Sequence, residues 1–261
     1  MIIKDQLNRE IQFDAPPERI VSLVPSLTEL ICDLGLKEKL VGITKFCVHP
    51  REIKKQAQII GGTKKIKLKD CLELKPDFVL ANKEENIEHQ VKALSKEGIS
   101  VYVSDISNHA DVKNLIEQLG ELFNVESSAN GLIDELDTTI TELQSVRLAK
   151  TLKAAYLIWK NPYMAAGGDT YISYMLDKIG FKNALNEEQR YPVLDESRLK
   201  SLDMDVILLS SEPFPFKQSH VKELTELTGK KVLLVDGEFF SWYGTRILHM
   251  PQYPEQLTSQ L

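Results

Sequence analysis

A short pattern occurs once in each half of this chain. Leu72-Glu73-Leu74-Lys75-Pro76-Asp77-Phe78-Val79-Leu80-Ala81 reads as the end of a helix, an Asp at a turn, then a buried apolar strand. Leu199-Lys200-Ser201-Leu202-Asp203-Met204-Asp205-Val206-Ile207-Leu208-Leu209 repeats that order. A helix handing on to a strand without polar alternation is the building unit of α/β folds. Its recurrence predicts two related lobes, and a cleft between lobes is where a small ligand sits.

Seven apolar runs carry the strand signal: Ile20 to Val24, Leu40 to Ile43, Phe78 to Ala81, Val101 to Val103, Ala154 to Trp159, Val206 to Leu209 and Val232 to Val235. They are rich in Val, Ile and Leu, as strands covered on both faces are. Helical patterns such as Ile87-Val91-Leu94 and Val112-Leu115-Leu119 lie between them, which predicts parallel sheets. One segment breaks the alternation. No proline occurs between Pro76 and Pro162, and Leu132, Leu136, Ile140 and Leu143 recur at helical spacing, with Asp134, Glu135, Asp137 and Glu142 on other faces. This predicts a helix from about Glu126 to Leu148, roughly 30 Å or more long. It reads as a rigid connector, or else as a surface helix of one domain. The expected organisation is an α/β lobe over 1–124, a connecting helix over 125–149 and an α/β lobe over 150–261.

Composition narrows the function. A chain of 261 residues, 43% hydrophobic and 27% charged, buries enough of its surface to fold without disulfides or metals. The net charge of −6 argues against nucleic acid, whose phosphates call for clustered Lys and Arg. The basic run Lys64-Lys65-Ile66-Lys67-Leu68-Lys69 has no interleaved aromatics and reads as a solvated loop. Cys32, Cys47 and Cys71 are odd in number and show no CxxC spacing, so neither a disulfide framework nor a zinc site is indicated. Cys32 and Cys71 read as small core fillers. No apolar run is long enough to span a bilayer. The residues Met1-Ile2-Ile3-Lys4-Asp5-Gln6 lack an apolar signal core.

Three strand-to-helix loops concentrate the candidate site residues. In the first, Pro25 ends a strand and Ser26, with Glu29 three residues on, has capping-box spacing. It lies where open α/β sheets bind ligands, although a well-capped helix explains it equally. The second runs from Trp159 through Tyr163 to Gly167-Gly168-Asp169-Thr170. The glycines permit close backbone approach to a ligand, and Asp169 or Thr170 begins a helix. It matches neither GxGxxG nor a P-loop, so no nucleotide is indicated. Trp159 and Tyr163 offer flat apolar faces with a polar edge, with core packing the alternative for Trp159. The third, Phe239-Phe240-Ser241-Trp242-Tyr243-Gly244-Thr245-Arg246, suits a large flat ligand, with Arg246 for a carboxylate or phosphate; a hydrophobic plug is the alternative. Phe46-Cys47-Val48-His49-Pro50 and Tyr191-Pro192 add smaller signals. His49 is a metal ligand or a hydrogen-bonded loop residue, and Cys47 with His49 cannot complete a site. With no nucleophile elbow, no HExxH and no telling carboxylate spacing, nothing supports an enzyme. No catalytic residue, protein-held metal or intrinsic cofactor is assigned.

The order of these motifs resembles the class III, helical-backbone substrate-binding proteins of ABC importers, especially the vitamin B12-binding branch. The resemblance rests on Arg19-Ile20-Val21-Ser22-Leu23 with Pro25, Thr28 and Glu29, on Leu34-Gly35-Leu36, Val41-Gly42-Ile43, Gly61-Gly62, Leu74-Lys75-Pro76-Asp77 and Leu119-Gly120, and more loosely on Gly167-Gly168 and Tyr191-Pro192. It implies two Rossmann-like lobes joined by one long helix, with a corrinoid, haem or iron-siderophore ligand in the cleft. By position, Phe46 and His49 come from the first lobe and Trp159, Tyr163, Tyr191, Trp242 and Tyr243 from the second; Ser26 and Arg246 complete the candidate set. The chain departs from the family at three points. Lys69, beside Asp70, and Ser197, beside Glu196, stand where transporter-docking glutamates are expected. His49 stands in place of a Tyr. Asp70 and Glu196 are therefore the docking candidates. The expectation is a non-catalytic, monomeric binder of a cobalamin-like corrinoid that serves an ABC importer permease. Haem, an iron siderophore, or a stand-alone module without docking are the alternatives. The resemblance implies the periplasm or cell envelope, and without a signal core the cytoplasm stays open.

Overall fold

The computed structural model describes residues 1–145, 148 and 150–261. The chain divides into two compact units, one formed by Met1–Leu136 with Tyr243–Arg246, the other by Asp137–Trp242 with Ile247–Leu261.

The first unit opens with an antiparallel hairpin, β1 (Ile2–Lys4) and β2 (Glu10–Gln12). Its sheet contains β3 (Ile20–Ser22), β4 (Leu40–Ile43) and β5 (Gln58–Ile59). A small hairpin follows, β6 (Gly61–Gly62) with β7 (Lys65–Ile66), and then β8 (Phe78–Asn82) and β9 (Ser100–Ser104) complete the sheet. The order is β5-β4-β3-β8-β9, parallel throughout. Asp77 sets the central register: its carboxylate accepts the backbone N–H groups of Glu18 and Arg19, both at 2.8 Å, so Ile20 pairs with Phe78. The open edge of β9 is covered by the first hairpin's turn. Arg9 donates to the Val101 carbonyl, while Asp5 and Gln6 accept from the N–H groups of Val103 and Asp105. Such covering blocks edge-to-edge pairing.

The second unit's sheet comprises β10 (Leu152–Trp159), β11 (Tyr163–Ala165), β12 (Phe181–Asn183), β13 (Val193–Leu194), β14 (Val206–Ser210) and β15 (Lys231–Val235), in the order β13-β11-β10-β14-β15 with β12 also on β10. β10, β12, β14 and β15 are parallel. The Asp clamp recurs: Asp205 accepts the Lys153 N–H at 2.7 Å, and Ala154 pairs with Val206. β11 and β13 add an antiparallel edge that the apolar runs did not reveal. Trp159 and Tyr163 are too close in sequence for the crossover a parallel neighbour needs, so the chain turns straight back.

The long helix is Glu126–Leu143, 18 residues, or about 27 Å. The boundary between the units falls inside it, at Leu136 and Asp137. Its buried face is Ala129, Ile133, Leu136, Ile140 and Leu143, whereas Leu132 is only half-buried. The expected extension to Leu148 is corrected. Gln144 and Ser145 donate to carbonyls three residues back, and the Ser145 hydroxyl bonds the Glu142 carbonyl at 2.7 Å, the tightened turn that closes a helix. Val146, Arg147 and Ala149 lie outside the described residues. No helix among the described residues is long and apolar enough to cross a membrane.

Candidate ligand site

In the first unit the strand order reverses at β3, whose neighbours β4 and β8 lie on opposite sides. The carboxyl ends around such a switch point are where open α/β sheets take ligands. Two buried amides tie the strand-end loops together. Asn86 donates to the carbonyls of Leu23 (3.3 Å) and Thr63 (3.0 Å) and accepts the Asn82 N–H at 2.9 Å. Asn82 caps the N–H groups of Glu84 and Glu85 and donates to Ser104. The sequence reading missed both, although a polar residue ending the apolar run of β8 was a visible signal.

The helix after β3 begins at Pro25 with Val24 as its cap. This corrects the expected capping by Ser26, because a proline in the first turn is already preset for helix and needs no side-chain cap. Ser26 and Glu29 have other partners. Tyr243 is buried with its hydroxyl beside those of Ser26 and Ser104. Burial holds that hydroxyl's pKa well above its ordinary value, the Glu85 charge adds to this, and the two serines oppose it. Arg246 is buried in an ion pair with Glu29, and Thr245 bonds Asp33. The structure thus brings Ser26, Tyr243 and Arg246 together as a packed strap. Glu85, unremarked in the sequence, reaches water. Yet the surrounding protein desolvates its carboxyl and pushes its pKa up, against the charge of Lys64.

The loop after β4 presents Phe46 at 50% exposure, with the Lys45 ammonium 4.8 Å from its ring centroid. Next to it in sequence Cys47 is buried between the hydroxyls of Thr28 (3.1 Å) and Thr44 (3.3 Å), and burial raises its thiol pKa. His49 is half-buried in the same loop.

In the second unit Trp159 ends β10 at 39% exposure. Its ring meets Phe214 edge-on at 5.7 Å, and Phe214 in turn contacts Phe216 at 4.7 Å and His220 at 5.5 Å. His220 Nδ1 accepts the Lys217 N–H at 2.9 Å. Tyr163 is buried and donates to Glu223 at 2.8 Å; burial first, and Glu223 second, raise its hydroxyl pKa. Trp242 is buried with its indole N–H on Glu212 at 2.6 Å. Tyr191 is half-buried. Among the described residues, which include every Phe, Tyr and Trp of the chain, only Phe46 and Trp159 are exposed aromatics.

The periplasmic binding protein family profile matches residues 20–233. The chain belongs to that family. Its members are non-catalytic binding proteins, and this chain is a substrate-binding protein. An uncharacterized ABC transporter substrate-binding lipoprotein of Bacillus subtilis, YvrC, is 27% identical over 94% of this chain and 81% of its own length. The vitamin B12-binding protein of Photorhabdus laumondii is 26% identical over 95% of this chain and 89% of its own. Among solved structures, the periplasmic heme-binding protein RhuT of Roseiflexus, in apo form, superposes with a TM-score of 0.78 at 20% identity, covering 93% of this chain and 97% of that one. That likeness confirms the two-lobed α/β fold.

Within this binding-protein fold the glycine pair Gly167-Gly168 serves the chain itself rather than a ligand. A Cβ at Gly167 would meet the Glu188 carbonyl at 2.5 Å, and their N–H groups bond the carbonyls of Arg190 and Glu188. The helix that follows is capped by Thr170, whose hydroxyl accepts the Ser173 N–H at 3.2 Å. Asp70 lies on the helix Leu68–Glu73, 3.3 Å from the Lys67 ammonium, and Glu196 opens the helix Glu196–Ser201. These helices precede the two repeat strands. Among the described residues no three His, Cys, Asp or Glu side chains converge as a metal site.

Proposed function

We propose that this chain captures a planar metal chelate of the corrinoid class and presents it to an ABC importer permease. The observation that carries the reading is the exposure of Phe46 and Trp159. Water-facing aromatics are costly to leave uncovered, and each removes a large flat apolar area from water when a ring system stacks on it. Both stand on loops or strand ends at the carboxyl side of their sheets, where this class of fold binds ligands. The relatives named for vitamin B12 support a corrinoid, and the cell envelope is the compartment that fits them. The heme-binding neighbour, with His49 close to Phe46 in sequence, supports haem as the second reading.

The test is tryptophan quenching and calorimetry with cyanocobalamin. Saturable binding well below about 100 μM is expected. Trp159→Ala should cost about 2 kcal/mol and Phe46→Ala about 1 kcal/mol of affinity, with thermal midpoints little changed. No saturation by about 100 μM removes the corrinoid; a Soret shift with haemin that is lost in His49→Ala moves the reading to haem. Asp70 and Glu196 serve docking in this proposal. Reversing both charges should leave the affinity intact and abolish transporter-dependent uptake.

A further inference from the structure

The two glycines of β6 are demanded by different neighbours. Gly61 has φ 119° and a Cβ there would meet the Lys65 carbonyl at 2.3 Å, so the backbone requires glycine. Gly62 is buried and its φ lies outside the left-handed region, so its φ does not call for glycine. The neighbour a side chain would press on is Phe46. A Cβ at 62 would lie 3.1 Å from the ring's Cε2 and 3.8 Å from Cδ2, with the Lys45 Cε at an ordinary 3.5 Å. Carbon atoms prefer about 3.5–4.0 Å, so the ring must give way. Being half exposed, it is free to swing outward.

We infer that Gly62 is a positioning residue: the bare backbone there leaves room for the Cε2 edge of the Phe46 ring, and so sets where the half-exposed ring stands as a platform for a planar ligand. The inference rests on Phe46 being a ligand platform and adds what fixes it in place. It carries a distinctive signature. Where the backbone tolerates Ala, Gly→Ala stabilises a fold by restricting the unfolded chain. Stability and affinity therefore move in opposite directions on substitution, which a purely structural glycine would not produce.

The experiment is a double-mutant cycle of Gly62→Val with Phe46→Ala, alongside Gly62→Ala, using cyanocobalamin and haemin as probes. Gly62→Val is expected to weaken binding by up to about fivefold with the ring present, no more than removal of the ring itself, and by less than about twofold in the Phe46→Ala background. Gly62→Ala should weaken binding to a lesser degree with an unchanged or raised thermal midpoint. A ligand-free arm places para-fluorophenylalanine at position 46 and compares its fluorine resonance with Gly or Val at 62; the resonance should move. Equal losses with and without the ring, or an unmoved resonance, overturn the inference. If neither probe binds the unaltered protein, the ligand reading fails by itself, and the fluorine resonance still decides the role of Gly62.

Discussion

Asp77 and Asp205 act alike in the two units. Each stands just before a central strand, turns its carboxylate onto the backbone N–H that opens the neighbouring strand, and so fixes the parallel register, Ile20 with Phe78 in one case and Ala154 with Val206 in the other. At the opposite ends of the same strands the units differ. Two asparagines bind the strand-end loops of the first unit, and its exposed ring lies against Gly62. The second unit supports Trp159 with Phe214, which rests on Phe216 and His220. A parallel pair needs its register set where the strands begin, and the same device serves both units. The carboxyl ends carry no such constraint, so the aromatic platforms are free to be built by unlike means.

The largest expected effect breaks the comparison at the strap. The first unit holds Tyr243–Arg246 through the buried pair of Arg246 with Glu29. Arg246→Ala leaves the Glu29 carboxylate buried without its cation and should cost about 3–5 kcal/mol in urea denaturation. Adding Glu29→Gln should recover much of the loss, because the uncompensated charge is then gone. A loss below about 1 kcal/mol would show that the strap is held by packing alone.

The clamps sharpen it. Asp77 accepts two backbone N–H groups, Asp205 one, and both carboxylates are exposed. Asp77→Ala should destabilise by about 2 kcal/mol and Asp205→Ala by about 1 kcal/mol. Equal losses would mean that the hydrogen bonds do not set the difference and that the repeat is alike in outline only.

Much of this architecture was legible because its cause is local. Uninterrupted runs such as Ile207-Leu208-Leu209 are buried on both sides of a sheet, and the Asp before each repeat strand marked a turn. The long helix was legible too, but its buried face follows Ala129 and Ile133 rather than Leu132, since a single apolar residue on a flanking face shifts a periodicity read by eye. The site was less legible for a physical reason. Aromatic type announces a large apolar surface, not which way it points. Tyr163, Trp242 and Tyr243 read like Phe46 and Trp159, yet Glu223, Glu212 and the hydroxyls of Ser26 and Ser104 meet the first three within the protein. Those partners come from distant parts of the chain, and no local pattern encodes them. Phe214 was within reach, as an aromatic between two prolines just after an apolar strand.

The smallest effect sharpens the comparison by pH. Glu223 accepts from Lys160 at 2.7 Å and from Tyr163 at 2.8 Å. The Lys160 bond first, and the Tyr163 bond second, hold its carboxyl below the ordinary value of 4.5. A folded-state value below the unfolded one stabilises the protein above about pH 4.5, and that contribution is lost as pH falls through the lowered value. Because water reaches this carboxylate, the amount is under about 1 kcal/mol. Glu223→Gln keeps an acceptor for Tyr163 but no charge for Lys160, so its deficit should be full above about pH 4.5 and should shrink as pH falls through the lowered value. Amide exchange, corrected for the intrinsic pH dependence of each amide, should localise the effect: acid should lower protection around Lys160 to Tyr163 and leave it unchanged in the Phe46 loop, whose ring meets Gly62 and the Lys45 ammonium. Acid loosening both loops alike would mean that the two platforms share a support and that their separate construction is only apparent.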